Sequence, residues 1–130
     1  MSEKAKHILC IEDETDMIEL YRLMLQRKGF EVSGAINGVD GLIKIRELKP
    51  DLVLLDLMMP DMGGWEVYQQ MKADDRTKNI PVIIVTAKAQ TIDKVLGLHI
   101  AKVDDFITKP FSPAALVKSV EKVLAKQGQI

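Results

Sequence analysis

The sequence predicts an α/β fold: a five-stranded parallel sheet with helices on both faces, a three-layer (βα)5 sandwich. Three observations carry this. Five short runs rich in Val, Ile and Leu, at 7–11, 31–36, 51–55, 81–86 and 105–108, alternate with longer segments of helical period. Three of the runs are apolar almost throughout, as strands are when both faces are covered. Strict alternation of the two patterns implies parallel strands joined by right-handed crossovers. The length of 130 residues suits one domain spanning 1–130, with a core from about residue 7 to 124.

The elements follow in order. Residues 1–6 read as a polar tail before the first strand. Met17, Ile18, Tyr21, Met24 and Leu25 then fall at i, i+1, i+4, i+7 and i+8, one apolar stripe of a first helix. Asn37-Gly38 separates the second strand from a second helix carrying Leu42, Ile45 and Leu48. That helix ends at Lys49, because a residue before proline avoids helical geometry. Trp65, Val67, Tyr68 and Met71 mark a third helix, and Ile92, Val95, Leu96 and His99 a fourth. Ser112 is an N-cap with Pro113 at the first position of the fifth. Leu116, Val117, Val120, Val123 and Leu124 give this last helix the spacing of the first, and Gly128 follows its end.

Composition excludes several classes. Hydrophobic residues at 47% and charged residues at 28% argue against disorder. With 18 Lys+Arg against 19 Asp+Glu, the net charge is −1, so no basic face for direct nucleic-acid binding is expected. The single cysteine, Cys10, cannot form an intramolecular disulfide, which fits a reducing compartment. No apolar run approaches the roughly 18 residues of a membrane span. The apolar start of the chain stops at Glu12, which leaves no signal-peptide core. A cytoplasmic protein without membrane attachment is expected.

In open α/β sheets, function gathers at the carboxyl ends of the strands. There the sequence places Glu12 and Asp13 after the first strand, Asp56 after the third, Thr86 after the fourth and Lys109 after the fifth. Each has an ordinary alternative role. Asp13 could cap a helix, Asp56 could close a turn, Thr86 could be a strand residue and Lys109-Pro110 a solvated turn. The conjunction of these types on one rim argues for a site. Carboxylates sharing a crevice raise a pKa or hold a cation, and hard oxygen ligands suit Mg2+ or Mn2+. A lysine beside them can neutralise a phosphoryl oxygen, and a threonine hydroxyl can donate to another. Asp56 is then placed as a nucleophile that becomes an acyl phosphate.

These residues resemble the receiver domain of bacterial two-component response regulators, particularly single-domain chemotaxis-type receivers. The likeness rests on 8–14 with Glu12-Asp13, 54–64 with Asp56, Met58-Met59-Pro60 and Met62-Gly63-Gly64, 84–87 with Thr86-Ala87, and 104–111 with Lys109-Pro110. The resemblance implies a flavodoxin-like sheet in strand order 2-1-3-4-5. It implies a phosphoprotein rather than a conventional enzyme, a phosphoacceptor that catalyses its own phosphotransfer and dephosphorylation. Asp56 would accept the phosphoryl group from a histidine kinase or histidine phosphotransfer protein. Glu12, Asp13, Asp56 and the backbone carbonyl of Met58 would form the Mg2+ site. Lys109 would contact the phosphoryl group, while Thr86 and Phe106 would be the switch hydroxyl and switch aromatic. Phosphorylation would alter a partner-binding surface on the fourth helix, fifth strand and fifth helix, in a monomer or a phosphorylation-dependent dimer.

Four departures from the usual pattern stand out. Glu12 replaces the commoner Asp and is one methylene longer, enough to reach metal through water. Gly63 replaces an Asp at the start of the third helix, where glycine is an adequate N-cap. Lys102 stands where a small residue is usual. Met58 and Lys88 flank the position that tunes acyl-phosphate hydrolysis. Cys10 reads as a buried apolar residue, His7 and His99 as structural or surface residues, and the Met residues as packing. Trp65, partly exposed near Asp56, is expected to report on the site. Two readings compete with the phosphorylated switch: a receiver-like partner-binding module not controlled by phosphorylation, and an aspartyl-phosphate hydrolase. The hydrolase is disfavoured because Asp56 follows the third strand and Met58 stands two residues on. A flavin-binding fold of similar topology is disfavoured too, since residues 12–16 would repel a phosphate. The 130 residues hold no output domain, which fits either a stand-alone receiver or a receiver cut from a longer regulator.

Overall fold

The computed structural model describes residues 5–59, 62–87 and 103–127. Within them the chain runs β1 (His7–Ile11), α1 (Thr15–Gln26), β2 (Glu31–Ala35), α2 (Gly38–Leu48), β3 (Leu52–Asp56), α3 (Gly64–Ala73), β4 (Val82–Thr86), β5 (Asp105–Thr108) and α4 (Pro113–Gln127). All strand pairs are parallel and the sheet order is β2-β1-β3-β4-β5. Helix α4 is the fifth helix of the sequence reading. The helix read over 92–99 lies outside the described residues, as do Pro60, Asp61, Lys88 and Lys102.

Strand period sorts the core into two halves, because successive side chains leave a strand on opposite faces. Leu9, Ile11, Val53, Leu55, Val82 and Ile84 pack with α2 and α3 through Ile45, Val67 and Met71. Ile8, Cys10, Leu52, Leu54, Ile83 and Val85 pack with α1 and α4 through Tyr21, Leu25, Leu116 and Val120. Strands β3 and β4 are buried along their whole length, which explains their unbroken apolar runs. Edge strands β2 and β5 are only partly covered.

Helix boundaries follow local chemistry. The Asn37 side chain accepts from the Asp40 amide at 2.8 Å and starts α2. Lys49 takes the left-handed conformation at φ 46° and closes it. Ser112 Oγ accepts from the Ala115 amide at 3.0 Å, the capping expected at α4. In helix α1 the cap position is Glu14, without a side-chain cap bond, so Asp13 does not take the capping role that its residue type allows. Leu48 also differs. The inward face of α2 is built from Gly38, Gly41, Leu42 and Ile45, and Leu48 ends the helix past that cover, 41% exposed. Ile36 likewise falls outside β2 and is exposed.

The turn after α3 is tied down from within. Thr77 Oγ1 donates to the Met71 carbonyl at 2.7 Å, and Lys72 Nζ donates to the carbonyls of Lys78 and Ile80 at 2.9 Å each. Asp74 accepts from the Arg76 amide and guanidinium and pairs with Arg46. Those arginines hold its carboxyl well below the usual range, at about 2.

Candidate functional site

The carboxyl ends of β1, β3, β4 and β5 meet at one rim. Asp56 is the last residue of β3, rather than a residue following it, and sits in register with Val85 of β4. Thr86 is the last residue of β4 and is fully buried. Its carbonyl accepts from the Lys109 amide at 2.9 Å, which anchors the lysine to the neighbouring strand end. From there the Lys109 ammonium reaches Glu12 Oε1 at 2.7 Å and Asp56 Oδ2 at 3.3 Å.

Glu12, Asp13 and Asp56 bring ligand oxygens within 4.8 Å of one another. Glu12 has no exposed surface and Asp56 has 4%, whereas Asp13 is half-buried at the mouth. Two backbone amides complete the cradle. Met58 N donates to Asp56 Oδ1 at 2.9 Å, and Glu14 N donates to Glu12 Oε2 at 3.3 Å. From sequence, Met58 is expected to act through its carbonyl and its flanking side chain; the amide contact to Asp56 is an addition that only the fold supplies. The Met58 side chain points out, 44% exposed.

Burial pushes the Glu12 carboxyl up to about 7. The Lys109 hydrogen bond opposes that rise and the charge of Asp56 reinforces it. Burial alone would lower the Lys109 ammonium, but Glu12 and Asp56 outweigh it and raise its pKa above the usual lysine range. Three carboxylates thus face one ammonium, an excess of negative charge that a divalent cation balances. The donors are hard oxygens, the class that Mg2+ takes, so the residues present fit such an ion.

The sequence matches the family described as "Response regulator receiver domain" over residues 8–121. The chain belongs to the response regulator receiver domain family.

Named relatives and solved structures agree. The receiver is 39% identical over 126 residues to the DNA-binding response regulator MtrA of Mycobacterium tuberculosis, covering 97% of this chain and 54% of that one. It is 40% identical over 123 residues to the phosphate regulon transcriptional regulatory protein PhoB of Pseudomonas aeruginosa, covering 95% and 53%. A CheY-like receiver domain protein from Methanospirillum hungatei superposes with a TM-score of 0.87 at 29% identity, covering 97% of this chain and 98% of that one. The chemotaxis protein CheY4 of Vibrio cholerae gives 0.84 at 25% identity, covering 92% and 99%. The receiver spans about half the length of the curated relatives it matches. Those two are named as DNA-binding or transcriptional regulators, so the expectation of no direct nucleic-acid contact, drawn from charge alone, finds no support in them.

The receiver therefore belongs with the response regulators of two-component systems. Of the residues singled out from sequence, the structure brings Glu12, Asp13, Asp56 and Lys109 together, with the Met58 backbone beside them. Thr86 stands at the adjoining strand end. Phe106 of β5, in register with Ile84 of β4, is 45% exposed. Cys10 is fully buried in β1, and His7 Nε2 lies 2.7 Å from Ser33 Oγ at the far end of the sheet. Among the described residues no helix is long and apolar enough to cross a membrane.

Proposed function

We propose that the receiver accepts a phosphoryl group on Asp56 from a phosphohistidine of a histidine kinase or phosphotransfer protein, in a Mg2+-dependent reaction. The observation that carries this reading is the Lys109 ammonium shared between Glu12 and Asp56, beside a carboxylate group close enough to hold one ion. Asp13 and Asp56 would hold the Mg2+ directly, with Glu12 through water and the Met58 carbonyl completing the set. Bound there, the ion supplies charge neutralisation to phosphoryl oxygens.

The chain's own residues do the rest. The Met58 amide fixes Asp56 Oδ1, which leaves the other oxygen turned toward Lys109. A carboxylate oxygen of Asp56 attacks phosphorus, the P–N bond to the donor imidazole breaks, and the electron pair stays on that nitrogen. Lys109 then pairs with a phosphoryl oxygen in place of a carboxylate. The Thr86 hydroxyl donates to another phosphoryl oxygen, and Phe106 exchanges its exposed position for a buried one. The change reshapes the surface of β5 and α4, biasing a two-state equilibrium toward a partner-binding form. Water later cleaves the acyl phosphate. The receiver acts in the cytoplasm as one domain with a core of about 7–124.

Intact mass after incubation with acetyl phosphate and Mg2+ tests the reading. One added phosphoryl group is expected on the wild type and none on Asp56→Asn. An unmodified wild type would count against it.

A further inference from the structure

Gly64, the first residue of α3, is seated on the backbone of the acceptor aspartate. A Cβ placed on Gly64 would fall inside the surface of the Asp56 carbonyl oxygen and within 2.8 Å of both the Asp56 carbonyl carbon and Leu57 Cα. All three obstacles are main chain, so no side-chain rotation relieves them. The contact is also bonded, since the Gly64 amide donates to the Leu57 carbonyl at 3.2 Å.

The neighbouring glycines behave otherwise. A Cβ on Gly63 meets only the Leu57 carbonyl oxygen at 3.9 Å, an ordinary contact. A Cβ on Gly38 meets Met62 Cβ at 2.8 Å and Val67 Cγ2 at 2.9 Å, which are side chains. Among the described glycines, Gly64 alone has the Asp56 backbone in the way.

The Asp56 carboxylate takes its orientation from that same stretch of main chain. Oδ1 is held by the Met58 amide two residues on, and Oδ2 faces Lys109. A displacement of 56–58 moves both contacts together. We propose that Gly64 is a positioning residue for phosphoryl transfer. Its missing side chain lets the start of α3 back directly onto Asp56 and Leu57, and so sets the carboxylate against Lys109 and the metal-binding oxygens. The inference rests on the reading that Asp56 accepts a phosphoryl group.

The test compares Gly64→Ala with Gly63→Ala and Gly38→Ala. Acetyl phosphate and Mg2+ are supplied at a temperature where circular dichroism shows each variant folded. Misplacing reacting groups by an ångström costs up to about 100-fold in rate, so Gly64→Ala is expected to slow modification about tenfold or more. Gly63→Ala should match the wild type. Gly38→Ala should lose melting temperature while keeping the wild-type rate, which separates positioning from plain destabilisation. Equal rates for Gly64→Ala and wild type overturn the inference and leave the acceptor reading intact, whereas an unmodified wild type overturns both. Should Gly64→Ala fail to fold, amide exchange in the wild type decides. Gly64 N–H is expected to be protected like the amides of β3, and free exchange there overturns the contact on which the inference stands.

Discussion

Lys109 Nζ lies 2.7 Å from Oε1 of Glu12, a carboxylate with no exposed surface. The two residues are 97 positions apart, and the sheet brings them together by placing β1 near β5 across β3 and β4. A buried carboxylate in this position relies on its counter-charge, because desolvation penalises the ionised form. Lys109→Met should therefore lower stability without Mg2+, by up to about 3 kcal/mol, and more at pH 8 than at pH 6, roughly, because Glu12 titrates at about 7 and takes up a proton below that. The same change on a Glu12→Gln background should cost clearly less, since the charge left stranded is gone. Urea titrations of the four proteins measure the coupling. Additive losses would mean that the pair is not energetically linked.

Asp13 is the half-buried member of the acidic group, and among the described residues it forms no ion pair. Its carboxylate oxygen lies within 4.8 Å of oxygens of Glu12 and Asp56, so Asp13→Asn removes one like charge from the group. The variant should gain about 1 kcal/mol without metal, a value discounted for solvent screening. It should also lose most of the stabilisation that Mg2+ confers on the wild type. Thermal melts with and without Mg2+ read both effects. A variant destabilised in metal-free buffer would contradict the reading of a strained acidic cluster.

Trp65 follows Gly64 and stacks on Tyr68 with ring centroids 5.0 Å apart. It is thus the residue next to the close approach of Gly64 to Asp56. Millimolar Mg2+ should quench or shift its fluorescence, and Asp56→Asn should abolish the response. A wild type indifferent to Mg2+ would leave the metal site without support.

Cys10 is fully buried in β1, and burial is the main cause that pushes its thiol pKa far up, with Arg22 opposing and Glu12 adding. The thiolate is the nucleophile, so the folded protein should resist thiol reagents at pH 8. Its reaction rate should follow the population of unfolded chain across a urea series. Fast modification of native protein would show that β1 opens locally.

Asp74 contributes a pH dependence on the acid side. Its folded pKa of about 2 lies below the ordinary aspartate value near 3.9. The stabilisation it provides is present above that ordinary value and is lost as pH falls toward 2. The difference in melting temperature between wild type and Asp74→Asn should be constant from pH 5 to 7, roughly, and shrink between about pH 4 and pH 2. A difference independent of pH would mean that the Arg76 and Arg46 contacts are not ionic in solution.

Much of this was legible in residue order alone. Val, Ile and Leu runs near 52–55 and 82–85 declare strands covered on both faces, and Asn37, Pro50, Ser112 and Pro113 mark helix ends through short-range chemistry. Periodicity and capping act within a few residues, so a linear reading captures them. The polar residues at the strand ends were also visible as a rim. Burial of Leu48 was misjudged because the third member of a stripe can outrun the surface it packs against. The sequence could not say that Asp13 leaves the cap of α1 to Glu14 and joins the acidic group, that the Met58 amide rather than its side chain holds Asp56, or that Gly64 presses on the Asp56 carbonyl. Each of these depends on the angle and closeness with which one element crosses another. Such distances arise from the packing of the whole sheet and its helices, and no local pattern of side chains encodes them.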